Sequence, residues 1–270
     1  MGPGFYGTNS VMTVDTGGLT NIGNNIFMPP WGGDPQPSGN QTAFGMDMSN
    51  VVAINSTHGV VFAWEIWRGA SDGSIVDRGN AVASVTLGSK FPIATRRGPL
   101  LTDSTAIQLG LLAVMVDSGY IYLYSLPQFA GIITVTRVPA SDAVFDITQY
   151  QTLTTTGQWA PGVPTPAQAI ANYGMVTAQP GGFGCAVYGS VFYNAYLKKY
   201  MMICNIWENW TNMYASDTPT GPWSAEYGVL AGVSGYGSMA HPEYSPDGGK
   251  TIPWSQGPNA EFDVFSITFA

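Results

Sequence analysis

Charged side chains are scarce in this sequence. Only 10% of its 270 residues are Asp, Glu, Lys or Arg, whereas about a quarter is usual in a soluble domain. The nine Lys and Arg are outnumbered by 17 Asp and Glu, which gives a net charge of −8. Phosphate binding needs clustered basic side chains, so we exclude nucleic acid as a partner, and an anionic membrane surface is unsuitable for the same reason.

Long hydrophobic runs are also missing. The longest, residues 107–116, has the length of a strand, and a helix that crosses a bilayer needs about 20 apolar residues. We therefore expect no transmembrane segment. Met1 is followed by Gly-Pro-Gly rather than by a basic and apolar leader, so a secreted form of this protein would have lost its signal peptide already.

Histidine and cysteine occur only twice each. Two distant histidines without a carboxylate cluster give no ligand set for a transition metal, so the sequence predicts neither a metal site nor a cofactor. Cys185 and Cys204 fall on neighbouring strands of one predicted hairpin. A disulfide and a pair of buried free thiols remain equally open for them, because regular strand pairing leaves the two residues somewhat out of line.

Three Asn-x-Ser/Thr triplets indicate passage through the secretory pathway. They begin at Asn40, Asn55 and Asn209, and each is an acceptor for N-glycosylation in the secretory pathway. Three such sites in a chain with few charges lead us to expect a secreted protein, or one in the lumen of the secretory pathway, with glycan on these asparagines.

What the sequence does contain is short, β-branched and aromatic apolar stretches separated by Gly, Asp, Asn and Pro. These are strand and turn signals. Related turns at Asp72-Gly73, Asp117-Ser118-Gly119 and Asp247-Gly248-Gly249 each precede a predicted strand, and the first two are 45 residues apart. Propeller blades repeat every 40–50 residues, so we predict an all-β, single-domain β-propeller over residues 1–270, with a β-sandwich as the alternative.

The predicted strands group into meanders. One short helix is also predicted, at residues 166–173. The predicted strands cover residues 50–55, 59–67 and 74–87, then 106–116, 120–126, 131–138 and 146–154, then 184–194, 200–206 and 211–216, and finally 239–244, 251–255 and 261–269.

Several short motifs, in order along the chain, resemble fungal members of the DUF4185 family. Each is unspecific alone, and their order and spacing carry the resemblance. The motifs are Asn9-Ser10-Val11, Tyr120-Ile121-Tyr122-Leu123-Tyr124, Thr136-Arg137-Val138-Pro139, residues 193–200, Ser216-Asp217, Gly221-Pro222-Trp223-Ser224, Tyr236-Gly237 and His241-Pro242.

The resemblance implies a five-bladed propeller similar to those of glycoside hydrolases. Some members of the wider family cleave arabinan, and related fungal proteins occur in natural-product gene clusters. The family usually opens with a Phe-Gly-Asp-Thr type segment ahead of the match to Asn9, and this sequence has none. Either the first blade is incomplete or the propeller closes differently, and one carboxylate available for hydrolysis is lost.

Propeller sites form where the innermost strands line the central channel. We predict that His241 and Tyr236 are the catalytic groups there, because an imidazole or a phenol can donate to a ligand carbonyl. The side chains predicted to bind substrate are Asn194, Tyr193, Glu243, Asn9, Gln108 and Trp207. The competing interpretation is that Asn194 caps its hairpin and that His241 braces the turn at Pro242.

Three functions compete, each with a small molecule or a glycan as the ligand. The first is a cofactor-free biosynthetic enzyme that promotes a cyclisation of hetero-Diels–Alder type on an apolar fungal metabolite, by orientation and carbonyl polarisation. The second is an arabinanase-like glycoside hydrolase, which needs two suitably spaced carboxyl groups. The third is a non-catalytic glycan-binding protein. The first is favoured here by analogy with the cluster-encoded relatives, which is a weak basis for function.

Overall fold

Four antiparallel sheets follow one another along the chain and form the blades of a β-propeller. The computed structural model describes residues 27–69, 73–88, 92–127, 131–206, 210–231, 236–257 and 263–270, with the backbone of three short strands before them. Those three are β1 (Gly4–Phe5), which pairs in parallel with the first blade, and the hairpin of β2 (Met12–Asp15) and β3 (Gly18–Asn21). The all-β prediction is confirmed, but the described residues form four blades, and the expectation of five with an incomplete first blade is not confirmed.

Each blade is a meander that runs from an inner strand outward. Blade 1 contains β4 (Gln41–Met48), β5 (Val52–Ala53), β6 (His58–Gly69), β7 (Ile75–Leu87), β8 (Pro92–Arg96) and β9 (Thr102–Asp103). Blade 2 contains β10 (Ala113–Asp117), β11 (Tyr120–Ser125), β12 (Thr134–Pro139), β13 (Gln151–Leu153) and β14 (Trp159–Pro161). Blade 3 contains β15 (Val187–Asn194), β16 (Lys199–Ile206), β17 (Trp210–Ser216) and β18 (Tyr227–Ala231). Blade 4 contains β19 (Tyr236–Ala240), β20 (Thr251–Gly257) and β21 (Asp263–Thr268).

The predicted turns and helix explain how the strands are joined. Asp117-Ser118-Gly119 links β10 to β11, with Ser118 and Gly119 both at positive φ, the backbone that tight hairpins require. Asp247 lies in the longer loop between β19 and β20, and Asp72 falls outside the described residues. The helix α1 (Pro166–Asn172) begins with a capping box of Thr165 and Gln168. No helix in the described parts of the chain is long and apolar enough to cross a membrane.

Apolar side chains fill the spaces between neighbouring blades. Because strand side chains alternate between faces, each blade contributes one face to each interface. Val60, Phe62 and Ile121 belong to the cluster between blades 1 and 2. Tyr124 and Tyr214 belong to the one between blades 2 and 3. The cluster between blades 3 and 4 contains Phe192, Met201, Ile203 and Ile252. This packing fixes the inner strands side by side around the axis.

The two cysteines form a disulfide between the start of blade 3 and β16. Their Cα atoms are 5.3 Å apart, and both residues are fully buried in the cluster between blades 2 and 3. Regular pairing would leave them out of line, but the register shifts between Val187 and Ser190. Of the two alternatives that the sequence left open, the structure has the disulfide.

A buried ionic cluster lies on the face of blade 1 that points away from blade 2. Arg96 donates through Nη1 to Asp34 at 2.5 Å and to Glu65 at 2.9 Å, and all three side chains are at most 3% exposed. Asp34 also accepts from the backbone N–H of Trp31. Burial, and then the charge of Asp34, raise the pKa of Glu65 to about 7. One guanidinium therefore holds two carboxyl groups in the interior.

The raised pKa of Glu65 makes stability depend on pH. Ionising Glu65 is harder in the folded chain than in the unfolded chain, so the unfolded state binds fewer protons between about pH 4.5 and 7. The free energy of unfolding is therefore expected to fall as the pH rises through this window. Urea unfolding at pH 5 and pH 7.5 measures the fall, which Glu65→Gln should largely remove and the exposed change Asp263→Asn should leave intact. An equal fall in Glu65→Gln would contradict this assignment.

Candidate functional site

A cavity of about 450 Å³ lies where the inner strands of all four blades meet. We call it the axial cavity. Its lining comes from residues 50–52 of blade 1, 114–116 of blade 2, 190–192 of blade 3 and 239–243 of blade 4. The volume is within the range of about 300–1,000 Å³ that is usual for small-molecule sites. The axis of the propeller is thus the place where groups from distant parts of the sequence converge.

Hydrogen bonds between neighbouring inner strands close the wall of the axial cavity. Asn50 accepts from the backbone N–H of Val114 at 2.9 Å and donates to its carbonyl at 2.8 Å. Gly189 N–H donates to the carbonyl of Leu112, and Ala240 N–H donates to the Ser190 hydroxyl oxygen at 2.8 Å. Because strand edges carry unpaired backbone groups, these contacts satisfy several groups that would otherwise face the axis.

Three polar side chains of blade 4 form a chain at the rim of the cavity. His241 Nε2 lies 2.8 Å from Ser255 Oγ, and His241 Nδ1 lies 3.5 Å from Glu243 Oε1. With the proton on Nδ1 facing the carboxylate, Nε2 accepts from the serine hydroxyl; the tautomer is an assignment from these contacts. The set Glu243, His241 and Ser255 is called the rim relay below.

The local backbone explains why the rim relay forms. His241 directly follows β19, and its N–H donates to the carbonyl of Pro253 on β20 at 2.8 Å. A short 3-10 helix, Pro242–Tyr244, then turns Glu243 back toward the imidazole. Ser255 is 3% exposed and supports the ring from within blade 4, whereas the Glu243 side chain is 59% exposed. A carboxylate is therefore presented to solvent and cavity beside a held imidazole.

Chemically, the rim relay can hold and move a proton. A carboxyl group in contact with an imidazole can exchange a proton with a bound ligand and recover it from its neighbour. Among the described residues, no group of three or more His, Cys, Asp or Glu side chains comes close enough to hold a metal ion. The rim relay thus brings together an imidazole and a carboxyl group, two groups that can each exchange a proton.

The structure brings two of the predicted site residues together. His241 and Glu243 line the axial cavity. Asn194 does not: it is 1% exposed, donates to the Gly249 carbonyl at 2.8 Å and accepts from Leu197 N–H at 3.0 Å. Both ends of its amide hold the β15–β16 turn against the loop before β20, which is the capping role that the competing interpretation gave it, and substrate binding by Asn194 stays a prediction.

Tyr193 lies outside the cavity as well. Its side chain is half exposed and packs edge-to-face on Tyr200, with ring centroids 5.2 Å apart. Tyr236 begins β19, but its side chain is outside the described part of the structure. Of the two predicted catalytic residues, the structure therefore locates the side chain of His241 only.

Of the remaining predicted binding residues, the structure describes Gln108, which is not part of the lining of the axial cavity. Gln108 was expected on an inner strand, but β10 begins only at Ala113, and Gln108 lies in the preceding segment beside the buried Ile107 and Leu109. Asn9 and Trp207 are outside the described residues. The predicted strand was too long because residues 106–112 are apolar but make turns rather than ladder bonds.

Sequence reasoning missed Asn50, Ser190 and Ser255. Asn50 bonds to a residue 64 positions away, so no local pattern marks it. Ser255 is different, because residues 239–244 and 251–255 were predicted to be adjacent strands. Cross-strand pairing of Met239 with Ser255 brings that serine beside the residue that follows β19, and this signal was available.

Two other cavities among the described residues lack such a pair. One of about 380 Å³ between blades 2 and 3 is lined by residues 153–159, 174–176 and 220–222 and contains no titratable side chain in its described lining. Another of about 340 Å³, beside residues 97–101 and 145–147, contains Arg97 and Asp146 but no imidazole. The axial cavity is the best candidate site for this reason.

Two of the three glycosylation triplets lie within the described residues and are exposed. Asn40 precedes β4, and Asn55 lies in the loop between β5 and β6. The Asn55 carbonyl oxygen accepts from Thr57 and His58, which leaves its amide nitrogen facing solvent. Asn209 is outside the described residues.

We therefore expect glycan on Asn40 and Asn55 when the protein passes through a eukaryotic secretory pathway. Mass spectrometry before and after deglycosidase treatment measures it, with Asn40→Gln and Asn55→Gln as controls that each remove one glycan mass. An unchanged mass in all samples would count against the expected secretion.

Comparison with known proteins shows the fold and little more. No family model and no curated protein sequence matches this chain, so the resemblance to the DUF4185 family stays a prediction. A candidate hydrolase from Bacteroides ovatus superposes with a TM-score of 0.58 at 15% identity, over 79% of this chain and 54% of that one. At such low identity the match establishes a shared fold only.

Two further solved structures are enzymes that act on sugars. An exo-β-1,3-galactanase from Phanerochaete chrysosporium, solved with β-1,3-galactotriose, matches with a TM-score of 0.49 and 13% identity over 92% of this chain and 50% of that one. The catalytic domain of a Coprinopsis cinerea α-L-arabinofuranosidase matches with a TM-score of 0.40 and 12% identity, over 89% of this chain and 95% of that one. The chain spans about half the length of the first two proteins.

Proposed function

We propose that this propeller hydrolyses a glycosidic bond at the axial cavity, with Glu243 as the proton donor. The observation that carries the proposal is the exposed Glu243 carboxyl group beside His241, at the rim of a cavity large enough for a small molecule. The cyclisation of hetero-Diels–Alder type has no support in the fold comparisons. The hydrolase alternative fits an acid–base pair better, because a cycloaddition transfers no proton.

The proposed reaction balances with water as the co-reactant. In the reactive state Glu243 carries the proton, and His241 Nδ1 faces it unprotonated while Nε2–H donates to Ser255 Oγ. Glu243 donates its proton to the glycosidic oxygen as the bond from that oxygen to the anomeric carbon breaks. Water adds to the anomeric carbon, and its released proton passes to His241 Nδ1 and from there back to Glu243 across the 3.5 Å contact. The products are a free sugar and the alcohol of the leaving group, and the rim relay ends as it began.

One feature distinguishes this arrangement from most glycoside hydrolases. Those enzymes flank the bond with two carboxyl groups, about 5–5.5 or 6.5–9.5 Å apart. The described lining of the axial cavity carries one carboxyl group, Glu243. His241 is therefore assigned the second proton-transfer role, on the same side of the substrate as Glu243, and Ser255 is assigned the role of a positioning residue that fixes the ring.

A panel of alkyl glycosides of common pyranoses and furanoses, with the released sugar measured by a colorimetric reducing-sugar assay, tests the proposal, because an alcohol leaving group needs a proton to depart. We expect turnover of at least one of them, and a loss of kcat of at least 100-fold in Glu243→Gln, because general acid catalysis contributes about 10²–10⁴-fold. Asp263→Asn, an exposed carboxylate of the same blade outside the cavity, should stay within about twofold of wild type. The proposal fails if wild type cleaves none of the glycosides or if Glu243→Gln is as active as wild type.

One observation favours a non-catalytic glycan-binding protein as the second candidate. Both nitrogens of His241 already have partners within blade 4, which is the arrangement of a structural histidine. In that case the wild-type protein would bind a sugar of the panel without cleaving it, and calorimetry would detect binding where the absorbance assay detects no product.

A further inference from the structure

The side chains around the axial cavity are mostly apolar. Val51 on blade 1 and Val116 on blade 2 are 46% and 38% exposed, although valine is usually buried. Met239 and Ala240 contribute from blade 4, and the lining of blade 3 includes Val191 and Phe192. Valines with this much exposed surface next to the rim relay provide a contact surface for an apolar group.

The polar side chains of the wall are already committed. Asn50 uses its carbonyl oxygen and its amide on the two backbone groups of Val114. Ser190 Oγ accepts from Ala240 N–H. A sugar buried against this wall would leave hydroxyl groups without partners, and each unpaired buried hydroxyl is unfavourable. The carboxyl group of Glu243, which is more than half exposed, remains to bind sugar hydroxyls, and it lies at the rim beside His241.

We propose that the axial cavity binds the apolar aglycone of a small glycoside, an aryl or alkyl group, while its sugar lies at the rim relay. This inference rests on the proposed function, since it places the cleaved bond beside Glu243. It goes further by naming the substrate class: the leaving group is apolar, and the substrate is a small molecule rather than a polysaccharide. An apolar aglycone needs no hydrogen bonds from the committed wall, and transfer of its surface from water favours binding.

The test compares octyl and methyl glycosides of the same sugar, for glucose, galactose, xylose and arabinose. Binding is measured by titration calorimetry to Glu243→Gln, so that turnover cannot interfere. For at least one sugar, the octyl glycoside should bind at least tenfold more tightly than the methyl glycoside. Val116→Asn should remove most of that preference, because it places an amide on the apolar wall. Val264→Asn, at an exposed valine outside the cavity, should leave the preference unchanged.

The outcomes separate this inference from the proposed function. Equal binding of octyl and methyl glycosides, or equal effects of Val116→Asn and Val264→Asn, would overturn the aglycone assignment even if Glu243 proves to be catalytic. Full turnover by Glu243→Gln would overturn the proposed function, whereas an octyl preference that depends on Val116 would still support an apolar group in the cavity. Because binding is measured on Glu243→Gln and does not depend on turnover, the aglycone assignment and the proposed function can fail independently.

Discussion

Replacing Arg96 with methionine is expected to lower the free energy of unfolding by about 3–5 kcal/mol. Arg96 is the cation between the buried carboxyl groups of Asp34 and Glu65. Without it, two acids with no access to solvent face each other uncompensated, and removing one partner of a buried ion pair is among the most destabilising single changes. Urea unfolding at pH 7 with a fixed m-value measures the loss.

The next residue along the chain provides a matched control. Arg97 pairs with Asp142 at 3.0 Å and lies over the ring of Phe145, but both charged groups are largely exposed. An exposed pair contributes about 0–1 kcal/mol, so Arg97→Met should lower the free energy of unfolding by about 1 kcal/mol or less. Equal losses in the two variants would show that burial of the ion cluster does not determine stability.

A second variant covers the case in which Arg96→Met does not fold. Combining Arg96→Met with Asp34→Asn and Glu65→Gln removes the three charges of this buried cluster together. Buried ion clusters are often replaceable by neutral groups at little net change, so the triple variant should be more stable than Arg96→Met alone. A triple variant that is less stable than the single variant would contradict the electrostatic explanation.

Removal of the disulfide is expected to have the second large effect on the free energy of unfolding. The double variant Cys185→Ala with Cys204→Ala should lower the free energy of unfolding by about 3 kcal/mol, because the bridge closes a loop with a sequence separation of 19 residues and so restricts the unfolded chain by about that amount. Denaturant unfolding of both proteins gives the difference. A loss below about 1 kcal/mol would mean that the bond adds little to the packing around it.

The reductant dithiothreitol separates the bond from the side chains. Reduction of the wild-type protein should lower the denaturant concentration at its unfolding midpoint toward that of the double variant. The midpoint of the double variant itself should not change with reductant. A similar response of both proteins would show that the reductant acts elsewhere, since wild type contains just these two cysteines.

Local signals were enough to predict much of the fold. Asp117-Ser118-Gly119 marked the β10–β11 hairpin because only certain residues accept the positive φ that its turn requires. The helix α1 begins at Pro166, where the sequence predicted it, and its first turn is closed by a capping box of Thr165 and Gln168, with proline at the first position. Such signals depend on a few neighbouring residues, so the sequence alone contains them.

The strand β4 shows why other elements were not predicted. Gly45 in its middle resembles a turn signal in the sequence, but a Cβ at that position would come within 2.7 Å of the Ile66 side chain on β6. The glycine is therefore required by packing between strands rather than by a turn. The number of blades has the same difficulty, because it depends on how the sheets pack and not on any single repeat.

The candidate site was partly predictable for a related reason. His241 and Glu243 are close in sequence, and the predicted strand end placed both near the axis, where the structure has them. Asn194 also ends an inner strand, and a polar side chain there can either bind a ligand or hold a turn. Asn194 holds the turn through the carbonyl of Gly249, 55 positions away, and the sequence gives no sign of that contact.

The central claim is that ligand binds in the axial cavity at Glu243, and a crystal structure of Glu243→Gln with an octyl glycoside tests it most directly. The glycoside used would be the octyl compound that binds most tightly in calorimetry. We predict density for the sugar within hydrogen-bonding distance of residue 243 or His241, and for the alkyl chain along Val116. A glycoside bound instead between blades 2 and 3, or on the exposed rings of Tyr193 or Trp210, with the axial cavity empty, would contradict the account.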